Sequence, residues 1–340
     1  MNLFSGQCGI LRVFFVNLQT EYASLYTGSM INRELIRIKV VQLVYAFYQN
    51  EGRTIDVAEK ELAFSLGKAY DLYHHLLLLL VELRKMAEAK AEAKEARSKR
   101  LHLELAPEDL FDARLAHNRL LVQMAGNKQL LDFRDKHTKD WENEDAFFKN
   151  LYGRIIESPT FATYAFKEET TYDEDREVVR RLYKEFVCHN DDLDVLLEEH
   201  SLYWNDDKEV VDSFVLKTIK RFQEENGADQ PLLPEYDNDE DRKFATTLFR
   251  TTLQNADVYR QLIRANAKNW EFNRLAYMDV ILMQIALAEM MTFPTIPINV
   301  SFNEYLNIAK VYSTPRSAAY INGLLDHIVK HLRAEKKLLK

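Results

Sequence analysis

The sequence predicts an all-α protein, and three observations carry that expectation. Only 9 Gly and 7 Pro occur in 340 residues, too few breakers for a many-turned sheet protein. Long stretches are built from Leu, Ala, Glu, Lys and Arg, the strong helix formers. Apolar residues recur at three- and four-residue steps where the pattern is clearest, as in Leu35, Ile38, Val41 and Tyr45.

The elements follow in order. Met30 opens a helix that Asn50 and Gly52 end. Val40, Val44 and Phe47 widen its apolar face, so much of it should be buried. A long helical region runs from about 57 to 105. Its second half, Ala87 to Arg97, pairs Glu with Lys or Arg near i,i+4 and reads as a solvated, protruding helix. Pro107 and Pro159 break the pattern. Further helices are expected over Arg176–Val187 and Val210–Phe222, with a turn and a helix start at Asn190–Asp194. Gly227–Asp241 holds Pro231, Pro234 and six carboxylates and reads as a solvated linker between two halves. Phe244–Trp270 makes one helix or two. Arg274–Met291 makes another, stopped by Pro294 and Pro297. Ser301 and Glu304 have capping-box spacing, and Thr314-Pro315 starts the last helix.

Composition bounds the function. With 47% hydrophobic and 29% charged residues the chain is too apolar for general disorder. Cys8 and Cys188 supply neither a disulfide framework nor metal-ligand pairs, which favours a reducing, cytoplasmic setting. The run Ile10–Val16 is interrupted by Arg12 and lacks a basic leader, so it does not read as a signal peptide. Leu76–Val81 falls far short of the roughly 20 apolar residues that span a bilayer. Gly-rich phosphate loops, H-E-x-x-H and G-x-S-x-G are all missing from the sequence. His74 and His75 are adjacent, point apart on a helix, and suit a surface or boundary position better than a metal. The expectation is a non-enzymatic protein without cofactor or metal.

The specific pattern lies in the C-terminal third. Ile296-Pro297-Ile298-Asn299-Val300-Ser301-Phe302-Asn303-Glu304-Tyr305-Leu306-Asn307-Ile308-Ala309-Lys310 continues through Tyr312-Ser313-Thr314-Pro315-Arg316-Ser317 to Tyr320-Ile321-Asn322-Gly323-Leu324-Leu325-Asp326. Upstream stands Met283-Gln284-Ile285-Ala286-Leu287-Ala288-Glu289-Met290, and near the other end Arg37 and Gln42-Leu43-Val44-Tyr45. Together these resemble the NusB family, well over about 241–333 and weakly over 30–50. The resemblance implies a NusB-like pair of packed helical bundles, here with a long helical insertion in the N-terminal half. It divides the chain into a 1–29 extension of uncertain status, an enlarged helical half over 30–240, and a C-terminal bundle over 241–340. It also implies a cytoplasmic transcription antitermination factor for ribosomal RNA. Such a factor pairs with the ribosomal protein NusE, binds boxA-type single-stranded RNA and acts on the RNA polymerase elongation complex.

Site residues follow from the resemblance and from charge. The chain carries a net charge of −8, yet Arg33, Arg37 and Lys39 make the first helix basic. Lys310, Arg316, Lys330, Arg333, Lys336 and Lys337 do the same for the C-terminal segment. Arg33, Arg37, Lys39, Lys310, Arg316, Ser317, Tyr320 and Asn322 are the expected RNA-binding residues. Glu289 and Glu304 are the expected partner-binding residues. Ser317 and Asn322 suit hydrogen bonds to bases or sugars, and Tyr312 and Tyr320 suit stacking. The plainer reading of Asn322-Gly323 is close helix packing, and of Tyr320 a core position.

The chain departs from the family's pattern in two places. Glu34 and Leu35 interrupt the family's arginine run, and Arg316 stands where the family is often acidic. The broken arginine run supports an alternative, a helical protein-binding adaptor with weak or lost RNA binding. A third reading, an RNA methyltransferase fused to this domain, needs an alternating strand-helix pattern that the sequence lacks.

Overall fold

A computed structural model describes residues 28–50, 52–102, 104–137, 141, 143–204, 206–267 and 276–338. Residues 1–27, which make up nearly all of the expected extension, lie outside them, as do Cys8 and the expected helix start at Arg274. Every regular element among the described residues is helical. The described residues form two compact units, those within 28–66 and 236–338, and those within 67–235.

In the first unit, α1 (Arg33–Gln49) starts where the Asn32 side chain accepts the Leu35 N–H. It ends where the Asn50 side chain donates to the Ala46 carbonyl. Leu35, Ile36, Ile38, Val40, Val41 and Val44 are buried, so α1 is enclosed on almost every side. α2 (Ile55–Leu101) begins here, and Arg250 ties its first turns to a later helix by donating to Asp56 and Glu59 at 2.7 Å each.

The second unit takes over α2 after Leu66. At 47 residues this helix is about 70 Å long. A 3-10 turn opened by Pro107 leads into α3 (Phe111–Ala116). Next come α4 (Arg119–Ala125) and α5 (Lys128–Lys136), capped by Asn118 and Asn127, and then α6 (Asp145–Ile156). Pro159 opens α7 (Pro159–Ala165) as its first residue, with Ser158 as the cap. A Thr171–Glu174 capping box starts α8 (Tyr172–Phe186), Asn190 caps α9 (Asp191–His200), and α10 (Lys208–Arg221) follows.

The chain then returns to the first unit. There Asn238 caps α11 (Asp239–Gln254), which is followed by α12 (Ala256–Asn266), α13 (Tyr277–Thr292), α14 (Ile298–Tyr312) and α15 (Ser317–Ala334).

The structure changes five expectations. First, the compact units divide at 66/67 and 235/236 instead of at 240/241, while α1 packs on the C-terminal helices as the resemblance of 30–50 and 241–333 to one family domain implies. Second, the Ala/Glu/Lys stretch of α2 is solvated on one side only. Ala87 is buried, Lys90 lies 4.2 Å from the Tyr152 ring centroid, and Lys94 pairs with Asp112 at 2.8 Å. Third, the first half of the expected linker is held by the second unit. Asn127 donates to the Gln230 carbonyl, and the Leu233 N–H donates to Tyr73. Fourth, α14 starts at Ile298 after Pro297, so Ser301 and Glu304 lie within the helix and do not cap it.

Fifth, His74 and His75 are buried in an aromatic cluster. His74 stacks on Phe133 with centroids 4.5 Å apart, and Phe133 stacks on His137 at 4.0 Å. His75 stands 4.8 Å from Trp204 and 5.7 Å from Trp141. Burial pushes His74 down to about 4 and His75 down to about 3.

This cluster predicts acid sensitivity. An unfolded histidine takes up its proton near pH 6.5. The unfolded state therefore binds more protons as pH falls below that value, and stability drains away towards the folded values. Asp212 acts in the opposite sense, because burial raises its carboxyl to about 6 and protonation then favours the fold. The urea midpoint, followed by tryptophan fluorescence, should fall between about pH 7 and about pH 5. The fall should be smaller in His75→Leu, and identical pH dependence in the two proteins would refute the assignment.

Candidate nucleic-acid interface

α13 is the central helix of the first unit, with every residue from Asp279 to Met290 buried. Two acidic side chains stand among those apolar residues, and each organises a neighbouring helix. Glu289 receives the Arg37 guanidinium as a fork, Nε at 2.8 Å and Nη2 at 2.9 Å. The Ser301 and Tyr305 hydroxyls of α14 donate to the same carboxylate at 2.7 and 2.8 Å. Four donors thus saturate a fully buried acid. Burial alone would raise the Glu289 carboxyl, but Arg37 and the two hydroxyls hold it below its ordinary value. Arg37 also reaches Glu304 at 3.3 Å, yet burial leaves that carboxyl raised. Phe244 of α11 completes the cluster, with the Arg33 and Arg37 guanidinium carbons 5.1 and 5.4 Å from its centroid.

Asp279 does the corresponding work at the other end of α13. It accepts the hydroxyl of Ser313, and that of Ser317 at 2.9 Å. Ser317 in turn accepts the Thr314 N–H at 3.2 Å. This network fixes the turn between α14 and α15. The turn presents Arg316 at an exposed corner, and exposed Lys310 sits on the last turn of α14, donating to Asn307 at 3.1 Å. Along α15, Ala319, Asn322 and Gly323 continue the exposed face.

The expected site residues therefore separate into two groups. Lys310, Arg316 and Asn322 are exposed and share the α14–α15 corner and the helix after it. Tyr320 is half-buried there, its hydroxyl raised by burial and then by Asp279. The other group faces inward. Arg37, Lys39 and Ser317 are buried, so an RNA-facing role for them gives way to a structural one. Arg33 is half-buried and paired with Asp241 at 2.9 Å. Glu289 is no rim charge on a partner-facing surface, since its exposure is 0%. A lysine there would face the Arg37 guanidinium inside the core. Glu304 is half-buried against Arg37.

Gly323 also departs from the close-packing reading, because a Cβ built on it meets nothing within 4 Å. Sequence reasoning missed Asp279, Ser301 and Tyr305. The available signal was complementary: one carboxylate in the apolar run Ile285–Met290 and one guanidinium in the apolar run Leu35–Val41.

Among the described residues, no three His, Cys, Asp or Glu side chains gather to hold a metal ion. No described helix is long and apolar enough to cross a membrane. Fold and site together define an all-helical protein whose polar core pins one N-terminal helix to a C-terminal bundle with a cationic corner.

The profile of the NusB family matches residues 215–330. The transcription antitermination protein NusB of Salinibacter ruber is 39% identical over 132 residues, covering 37% of this chain and 82% of the relative. That of Geotalea daltonii is 34% identical, covering 39% of this chain and 88% of the relative. A solved structure of T. maritima NusB is 28% identical with a TM-score of 0.28, over 36% of this chain and 78% of its own. This chain belongs to the NusB family.

The buried pair generates a direct test. Arg37→Ala strands Glu289 as an uncompensated buried charge and should cost roughly 3–5 kcal/mol of folding stability. Arg37→Lys loses the fork and should fall in between. Lys310→Ala, at an exposed position, should stay within about 0.5 kcal/mol of the parent. Urea denaturation measures all three, and a parent-like Arg37→Ala would show that the pair does not hold the unit together.

Proposed function

We propose that this protein is an RNA-binding transcription antitermination factor that pairs with the ribosomal protein NusE. In this reading it binds boxA-type single-stranded RNA in ribosomal transcripts as part of the RNA polymerase elongation complex. Membership of the NusB family supports the class of activity. The observation that carries the RNA reading is the exposed corner, where Lys310 and Arg316 flank a turn braced by Asp279, with Asn322 on the helix that follows. Its two cations stand out on a chain of net charge −8. They suit phosphate neutralisation, and the Asn322 amide suits a base edge. Binding needs no cofactor and involves no bond-making step.

The adaptor reading has its own support in the first helix. Arg33 is paired, and Arg37 and Lys39 are buried, so α1 offers RNA little charge. Under that reading the second unit, residues 67–235, provides the interface to a protein.

A salt series of affinity for a boxA-like oligoribonucleotide, with and without NusE, separates the two. Under the RNA reading log K falls with log salt by about 0.7 per phosphate contacted. Lys310→Ala and Arg316→Ala should each flatten the slope and weaken all sequences alike, while Asn322→Ala should lower the preference for boxA. NusE binding without any RNA affinity would establish the adaptor instead.

A further inference from the structure

Three tyrosines of the first unit meet where α1 ends and α13 begins. Tyr45 and Tyr48 stand about one turn apart on α1, and Tyr277 is the first residue of α13. Tyr277 sits edge-on to both, with centroids 6.0 and 6.4 Å away and interplanar angles of 68° and 69°. The guanidinium carbon of Arg260, from α12, lies 4.4 Å from the Tyr48 centroid. Burial raises the Tyr48 hydroxyl and Arg260 draws it partly back.

A merely structural role accounts for Tyr48, which is half-buried and hydrogen-bonded by Gln284 at 3.5 Å. It does not account for Tyr277, which remains 44% exposed. The arrangement sets two rings edge-on to a partly exposed one and places the Arg260 guanidinium over Tyr48. The exposed residues on the neighbouring turns are Gln49, Asn50, Asp257, Val258, Gln261 and Arg264, a mostly polar surround in which Val258 is the one large apolar side chain.

The cluster also adjoins the cationic corner. Gln42 lies one turn before Tyr45 and donates to the Tyr312 hydroxyl at 3.2 Å. Tyr312 is two residues beyond Lys310 and next to Ser313, which holds Asp279. From Gln42 to Tyr48 the rise along α1 is only about 9 Å.

We propose that Tyr277, backed by Tyr45 and Tyr48 and flanked by Arg260, is a stacking platform for one unpaired base of an RNA whose backbone lies on the Lys310–Arg316 corner. The inference rests on the RNA reading above. Stacking on an aromatic face accepts any base, so the platform adds affinity and registers the strand without reading its sequence. Arg260 places a charge beside the stacked base for the adjoining phosphate.

The test uses the full chain with NusE and the same oligoribonucleotide, carrying 2-aminopurine at successive positions. Stacking should quench the probe at one position. Tyr277→Ala should abolish that quench and weaken binding about tenfold without changing the salt slope. Tyr277→Phe should keep both the quench and the affinity. Lys310→Ala should flatten the slope yet keep the quench. Parent-like quench and affinity in Tyr277→Ala, with binding weakened by Lys310→Ala, would overturn the platform and leave the RNA reading standing. A Tyr277→Ala protein that binds RNA normally but loses NusE would overturn it in favour of a protein contact. Absence of RNA binding by the parent protein would overturn both.

Discussion

The Arg37–Glu289 pair is the constraint on which the first unit depends. α1 is buried almost all round, and burial of its apolar surface has no direction that would fix the helix's rotation. A guanidinium fork on a carboxylate has one geometry, so it supplies the missing orientation. The same carboxylate holds Ser301 and Tyr305, so one acid sets α1 and α14 against α13 together. A buried ion pair is a weak source of net stability once desolvation is counted. Its contribution here is specificity: any other rotation of α1 would leave a charge in the core with no partner.

Asp279 applies the same logic at the other end of α13. A buried acid that accepts two serine hydroxyls freezes the turn before α15 and leaves Arg316 and Lys310 outside it. The division of labour is clear in these residues. Buried polar groups position the helices, and the groups left in solvent are those available to another molecule. The net charge of −8 hides this, because the corner's cations are outnumbered by carboxylates spread over the rest of the chain.

Much of the fold was legible in the sequence, because helix ends are chemically local. Asn50, Asn190 and the Thr314–Ser317 turn mark boundaries through hydrogen bonds made within a few residues, and Pro159 marks one through its fixed φ at the first helical position. The sites were less legible. Arg37 reads as a surface cation until its partner is known, and that partner is 252 residues away. Ser301 and Glu304 have the spacing of a cap, but Pro297 starts the helix one turn earlier and turns the serine inward. His74 and His75 misled for a related reason, since no nearby residue announces that Phe133, Trp141 and Trp204 will enclose them.

The position of residues 67–235 between α1 and its partners bears on synthesis as well as structure. A ribosome adds about 5–20 residues per second. The separation of 252 residues between Arg37 and Glu289 therefore leaves α1 waiting on the order of tens of seconds before its carboxylate exists. The intervening unit is contiguous in sequence and can close during that interval. The nascent chain meanwhile carries an unsheltered helix rich in Ile, Leu and Val, an aggregation hazard that the insertion itself prolongs.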